Sequence, residues 1–383
     1  MSNDRAAGPD PLIAAARAAA PLAAEHAGAS EAARTLAKPV AEAVVAAGFP
    51  GYFAPAAAGG RAGTFTGLLG AVAALGEGCT SAAWCASVVA SAGRMTAYLP
   101  TAGQEAVWHK GPDTVVSAGL VPSGTAERGP GGWRLNGTWP YVSAVDFSDW
   151  TLVAARAQTP EGQHVRVFAV PRTDYRIEDT WLTVALRGTG SNSVVLDDVL
   201  VPDERSVALD VLLAGAAPDS DAACHQVPLK AGNGLTLAAP LLGATRGALH
   251  RWSHLVRGKL AGPGGAISGA QDAGPFEQLL ARAEGETDAA QLLLERVART
   301  TDEGPYSDLD SARNGRDSAL AADLLASVVD RLLRTAGTRA QAEGEELQRR
   351  WRDVNCGAGH SGLQFAPLAG TYARLLNAAP QAG

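Results

Sequence analysis

The chain has 383 residues, a net charge of −7, 46% hydrophobic and 19% charged side chains. That length supports a full hydrophobic core and two or three domains, and the composition is that of a soluble globular protein. The acidic balance, with no basic run and no aromatic-plus-basic ladder, argues against a nucleic-acid partner.

The cysteines Cys79, Cys85, Cys224 and Cys356 make no C-x-x-C pair and have no zinc-ligand spacing, so they read as small buried thiols in a reduced compartment. The first residues are polar and lead into an Ala-rich helix, and no run reaches the roughly 18–20 apolar residues that spanning requires. The expectation is a cytoplasmic protein with no membrane partner.

Residues 1–110 read as an N-terminal helical domain. Pro11 starts a helix to about Ala27. A second covers 32–47 and stops at the turn Gly48-Phe49-Pro50-Gly51. Thr64 caps a helix carrying Leu68, Leu69, Val72 and Leu75 at 3–4 spacing. Thr80 or Ser81 caps the next, and a short helix near 103–110 follows. From Val115 the period changes to two, as in Trp133-Arg134-Leu135-Asn136-Gly137-Thr138-Trp139. Six or seven short strands punctuated by Gly, Pro, Asp and Ser predict a central antiparallel β-barrel or sandwich over 111–205. After a connector that includes 214–223 and 231–234, residues 206–383 predict a four-helix bundle, with helices over 235–257, 276–301, 311–336 and 347–379. Gly258 ends the first of these, a glycine cluster at 262–269 forms a loop, and Gly337 stands at a C-cap. The fold class is α+β.

Dinucleotide and P-loop fingerprints are absent, since Gly188-Thr189-Gly190 lacks a third glycine and a crossover helix. His250 and His254 share a helix face, but no third metal ligand accompanies them. His360 sits in the low-bulk run Asn355-Cys356-Gly357-Ala358-Gly359-His360-Ser361, which leaves room for a ligand beside a group that titrates near neutrality. Residue types alone favour a structural histidine over a base. Arg187, Thr189, Ser191 and Ser193 read either as contacts to a carbonyl-rich ring or as a polar turn. Trp139, Tyr141 and Trp150 read either as walls for a planar ligand or as barrel core.

Several blocks resemble the acyl-CoA dehydrogenase fold, and within it the flavin-dependent monooxygenase branch of two-component aromatic hydroxylases. They are the Phe49 to Gly60 segment, Ser81-Ala82-Ala83-Trp84-Cys85, the Gly132 to Ser143 run, Asp179-Thr180-Trp181 with Arg187-Gly188-Thr189-Gly190-Ser191, Val199-Leu200-Val201-Pro202, and Leu347-Gln348-Arg349-Arg350-Trp351-Arg352-Asp353-Val354. The resemblance runs from about Ala32 to Leu376. It implies an acyl-CoA dehydrogenase-like architecture with FAD or FMN held between barrel and bundle, either resident or as a loosely bound reduced cosubstrate. Leu120, Val121, Ser123, Trp139, Tyr141 and Ser143 would line the flavin ring, with Thr189 and Ser191 at its border. Arg257 would contact phosphate, and Arg331 and Gly337 would act across a homodimer or homotetramer interface. Trp84, Asn355 and His360 would meet the substrate, with His360, Ser143 and Arg187 in catalytic roles. The implied partners are an aromatic substrate, O2 and a separate flavin reductase.

The run 355–361 holds no carboxylate, unlike dehydrogenases that abstract an α-proton, and Asn355 stands where the branch often carries a histidine. The leading expectation is therefore a monooxygenase acting on an aromatic or polyketide-like phenol in secondary metabolism. The alternatives are flavin-dependent dehydrogenation or oxidative phenol coupling, and a flavin-free binding or assembly subunit.

Overall fold

The structure is a computed structural model that describes residues 10–159, 162–261 and 273–378. Six helices come first: α1 Pro11–Glu25, α2 Ala27–Ala33, α3 Lys38–Ala46, α4 Phe65–Gly78, α5 Thr80–Thr96 and α6 Thr101–Trp108. The hydroxyl of Thr64 accepts the Gly67 N–H at 3.0 Å, the cap expected for α4. For α5 the cap position belongs to Cys79, which makes no side-chain cap bond, and Thr80 is already helical. The helix expected over 32–47 is two helices. Arg34 takes a left-handed backbone at the end of α2, and Pro39 lacks an N–H, so it fits the first turn of a new helix but not the interior of one continued from α2.

The strands are β1 Val116–Gly129, β2 Gly132–Val142, β3 Trp150–Thr159, β4 Gly162–Pro171, β5 Arg176–Glu178, β6 Asn192–Val201 and β7 Ser206–Ala208. They form one sheet in the order β5-β6-β2-β1-β3-β4-β7, which does not close, so the predicted barrel is an open sheet. Nor is it wholly antiparallel, because β1 and β3 run parallel. The physical reason is the order of edges. The turn after Gly129 gives one edge of β1 to β2, and the short helical crossover Val145–Phe147 returns the chain to the other edge in the original direction. The two ends of the sheet are three-residue strands, which leave little unpaired edge.

Two register shifts lie at one end of this sheet. Gly119 pairs with Val153 and Gly124 with Ala155, so residues 120–123 of β1 face only Ala154 on β3. Trp139 pairs with Val194 and Val142 with Asn192, which inserts one extra residue at Pro140-Tyr141. Bulges of this kind bend a strand and re-aim its side chains. Tyr141 adopts φ 64° to make the second one. The indole of Trp139 crosses the first, and its Nε1 donates to the carbonyl of the skipped Ala154 at 2.6 Å.

That crossing requires glycine opposite. A Cβ on Gly124 would stand 2.2 Å from Trp139 Cζ2. Gly124→Ala should therefore destabilise the protein by about 1–3 kcal/mol through overpacking. A urea midpoint equal to that of the parent would show that the indole moves aside without cost.

The C-terminal region contains α7 Leu209–Ala214, α8 Leu229–Ala261, α9 Gly274–Glu303, α10 Asp308–Ala336, α11 Glu346–Ala358 and α12 Phe365–Ala378. Three corrections to the predicted bundle follow. Residues 231–234 are not a connector but part of α8, where missing side chains admit neighbours: a Cβ on Gly232 would meet Phe65, and one on Gly234 would meet Ser318. The helix also runs past Gly258, and the glycine cluster expected at 262–269 lies outside the described residues. The helix expected over 347–379 breaks after Ala358. His360 takes an extended ψ of 140°, and its ring bonds the Gly362 N–H, which starts a separate short turn before α12. The described C-terminal region thus has four long packed segments with the last one broken, where a plain four-helix bundle was expected. Gly337 does occupy the C-cap of α10.

The main core joins α1, α4 and α5 to α8, α9, α10 and α11, while a second cluster fills the inner face of the sheet around Trp133, Trp139 and Phe168.

Candidate active site

The bulged end of the sheet, α5, the first turns of α8 and the break between α11 and α12 enclose a cavity of about 630 Å³. This is the size range of sites for drug-sized ligands. Leu120 and Val121 reach it because the first register shift turns them out of the ladder, and Pro140 and Tyr141 reach it from the second. The walls are mainly apolar. Val121, Tyr141, Leu182 and Val184 are large exposed apolar residues close in sequence to its mouth.

Polar groups enter at two places. On the sheet side, Trp84 Nε1 donates to Ser143 Oγ at 3.2 Å, and Ser143 Oγ lies 2.7 Å from Ser191 Oγ. Ser191 Oγ lies 2.7 Å from Thr189 Oγ1, which donates to the Leu186 carbonyl at 2.7 Å. Leu186 holds a positive φ of 48° and is fixed from both sides. Its N–H donates to Asp353 Oδ1 at 2.6 Å, and its carbonyl also accepts from Trp181 Nε1 at 2.9 Å. Burial pushes the Asp353 carboxyl up to about 6, partly opposed by the Leu186 bond.

The second polar group is His360. The Gly362 N–H donates to its Nδ1 at 3.0 Å. The neutral imidazole then carries its proton on Nε2, the nitrogen left for a ligand. Surrounding protein lowers the pKa of His360 by desolvation, so the ring is neutral at pH 7. The residue is exposed and lines the cavity. The rings of Trp84 and His360 stand 5.9 Å apart, so Trp84 spaces the histidine from Ser143.

The structure thus brings Trp84, Leu120, Val121, Trp139, Tyr141, Ser143, Thr189, Ser191 and His360 to one cavity. Trp139 is chiefly sheet core, only 1% exposed, and shows the cavity an edge. Other expected residues lie elsewhere. Ser123 is exposed on β1 and does not line the cavity. Arg187 turns away, donating to the carbonyls of Glu31 at 3.1 Å and Thr183 at 2.8 Å. The Asn355 amide is held by Asp330 and the Trp351 carbonyl. Arg257 donates to its own helix at Ser253, Arg331 pairs with Glu286 on α9, and Gly337 borders open space. Within one chain none of these reaches the cavity.

Sequence reasoning missed Trp181, Ser91, Asn233 and Thr236, which also line it. Trp181 belongs to a quoted block, but Asn233 sat in a run read as connector and Thr236 in the first turn of the helix expected over 235–257. No group of three or more metal-ligating side chains occurs among the described residues. No helix among them is long and apolar enough to cross a membrane.

Residues 235–365 match the family model described as "Acyl-CoA dehydrogenase, C-terminal domain". The chain is 32% identical over 305 residues to the flavin-dependent monooxygenase oxygenase subunit HsaA of Rhodococcus jostii, covering 76% of this chain and 78% of that protein. It is 31% identical over 337 residues to the FADH(2)-dependent resorcinol hydroxylase oxygenase component of a Rhizobium strain, covering 82% of each. Its backbone superposes on XiaF from Streptomyces, solved with FADH2 and glycerol, with a TM-score of 0.87, 25% identity and coverage of 97% and 96%. The chain therefore belongs to the oxygenase components of flavin-dependent monooxygenases built on the acyl-CoA dehydrogenase fold.

Proposed function

We propose that this protein hydroxylates a phenolic ring, of aromatic or polyketide-like type, as the oxygenase half of a two-component enzyme. A separate reductase supplies reduced FAD or FMN. The observation that carries this reading is the pairing of Ser143 and His360 across Trp84 in one apolar cavity. The cavity's size, its flat aromatic walls and a hydroxyl beside an indole N–H fit an isoalloxazine ring with room for a second small ring. Reduced flavin with O2 supplies an electrophilic oxygen atom when bound.

The chain's own residues do the rest. Trp84, Tyr141 and Trp181 confine planar groups, and Leu120 and Val121 add an apolar wall. His360 addresses the phenol. The family resemblance gave it the part of a base. With Nδ1 occupied by the Gly362 N–H, removing a proton at Nε2 would require the ring to lose that bond and change tautomer. We therefore assign it the part of a donor. Nε2–H holds the phenolic oxygen, favours the phenolate and so raises electron density on the ring carbon that receives oxygen. The proton leaves to water as the phenolate binds.

Mixing the protein with reduced flavin, O2 and a panel of simple phenols tests the reading by product mass. The expected product gains one oxygen atom. Loss of hydrogen or a doubled mass would replace hydroxylation by dehydrogenation or coupling, and failure to bind any flavin would replace both by a binding role.

A further inference from the structure

The helix side of the cavity holds two polar groups with no part in the site described above. Here α8 runs back along α5. Ser87 Oγ donates to the Thr236 carbonyl at 2.7 Å, and Arg94 Nη1, further along α5, donates to the Val227 carbonyl at 2.9 Å, just before α8. Ser91 and Asn233 fall between these two contacts, and both line the cavity. Ser91 is only 7% exposed, a depth at which hydroxyls are ordinarily bonded. Among the described residues its Oγ has no hydrogen-bond partner. The half-buried carboxamide of Asn233 is likewise unbonded among the described residues. It stands near the histidine, since a Cβ on Gly362 would lie 3.3 Å from His360 Nδ1 and 3.5 Å from Asn233 Nδ2.

The same cavity offers no counter-ion. Among the described residues no Asp, Glu, Lys or Arg lines it. Arg94, the cation of α5, is held by Tyr98 Oη and the carbonyls of Cys224 and Val227. A carboxylate entering here would lose its water and gain no opposite charge. A neutral carbonyl oxygen meets the reverse situation. Its two lone pairs match one amide N–H and one hydroxyl that otherwise lack acceptors.

We infer that Ser91 and Asn233 form a subsite for an uncharged carbonyl oxygen on the substrate, and that the cavity excludes phenols bearing a carboxylate. The inference rests on the phenol reading above and narrows it: the substrate carries a ketone-type oxygen besides its phenol. Ser91 and Asn233 determine specificity, because they touch the substrate away from the carbon that receives oxygen. An apolar substituent in the same place leaves both donors buried and dry.

The test is anaerobic equilibrium dialysis of the full chain, with and without dithionite-reduced FMN or FAD, against three phenols of one size. They are 4-hydroxyacetophenone, 4-isopropylphenol and 4-hydroxybenzoate, whose substituents are a ketone, its apolar analogue and a carboxylate. The readout is the ratio of dissociation constants, which needs no turnover and is insensitive to ring reactivity. The parent should bind the ketone about tenfold more tightly than the isopropyl phenol. It should bind the ketone about 100-fold or more tightly than the carboxylate. Asn233→Leu and Ser91→Ala should each lower the ketone-over-isopropyl ratio several-fold. Their affinity for 4-isopropylphenol should not fall, which shows that the variants are folded. Equal binding of ketone and carboxylate by the parent, or an unchanged ratio in both variants, would overturn the subsite and leave the phenol site standing. No binding of any of the three phenols by the parent would overturn both.

Discussion

His360→Ala should lower the rate of oxygen transfer to a phenol by roughly 100- to 1,000-fold, the usual cost of removing a hydrogen bond that strengthens as charge develops. Affinity for reduced flavin should stay within about twofold, because the polar contact assigned to that ring lies at Ser143. The residual activity should climb with pH toward about 10, where a simple phenol ionises unaided. His360→Gln separates the two roles open to the histidine. A glutamine amide donates but takes no proton near neutrality, so partial recovery relative to alanine supports donation to a phenolate. A glutamine variant as inactive as alanine would return His360 to the part of a base. Turnover unchanged in both would remove it from the mechanism.

Arg350→Ala should be the most destabilising single truncation outside the apolar core, at about 3–4 kcal/mol. Arg350 is 3% exposed and lies on α11, yet it serves the end of α4. It donates to the carbonyls of Gly76 at 3.1 Å, Glu77 at 2.6 Å and Gly78 at 3.1 Å. These are last-turn acceptors with no intrahelical partner, at the end of the helix that favours positive charge. Gly247 on α8 makes the space, since a Cβ there would stand 2.4 Å from Arg350 Nη1. Removing the guanidinium leaves three carbonyls beside a void. Arg350→Lys should recover only part of the loss, because one ammonium does not reproduce the planar fork. Denaturant unfolding of the flavin-free protein measures both, and a loss below about 1 kcal/mol in the alanine variant would mean that water replaces the side chain.

Arg350 also shows what the sequence could and could not disclose. The block from Leu347 to Val354 was recognisable as a pattern, but its physical content was not. Arg350 serves α4, Arg352 pairs with Glu31 on α2 and donates to the Val184 carbonyl, and Asp353 holds the Leu186 N–H. Each partner lies more than 150 residues away, so no local periodicity encodes it. The same limit applies to the sheet. Alternation located the strands, but register belongs to pairs of strands, and a shift between Gly119 and Gly124 is invisible on β1 alone. Ser143, Thr189 and Ser191 were legible as a cluster, yet the direction of their hydrogen bonds depends on a carbonyl at Leu186. Arg187 misled because a guanidinium in a Gly/Ser-rich turn looks like a ligand contact. Its partners are the Glu31 and Thr183 carbonyls, which tie the turn to α2. His360 was found from the small residues before it, but the break in the helix that presents it was not.

The register shift on β1 has a bearing on how such a protein acquires new substrates. Residues 120–123 give no rungs to the ladder with β3, Leu120 and Val121 among them form cavity wall, and Trp139 satisfies the carbonyl they leave behind. Their length and identity are thus uncoupled from the rest of the sheet. Inserting or deleting a residue there re-contours the pocket while Gly119 and Gly124 keep their partners. The bulge on β2 has no such latitude, since a single extra residue is held there by the positive φ of Tyr141. Diversification, natural or directed, has one wall of this pocket open to it and the neighbouring wall closed.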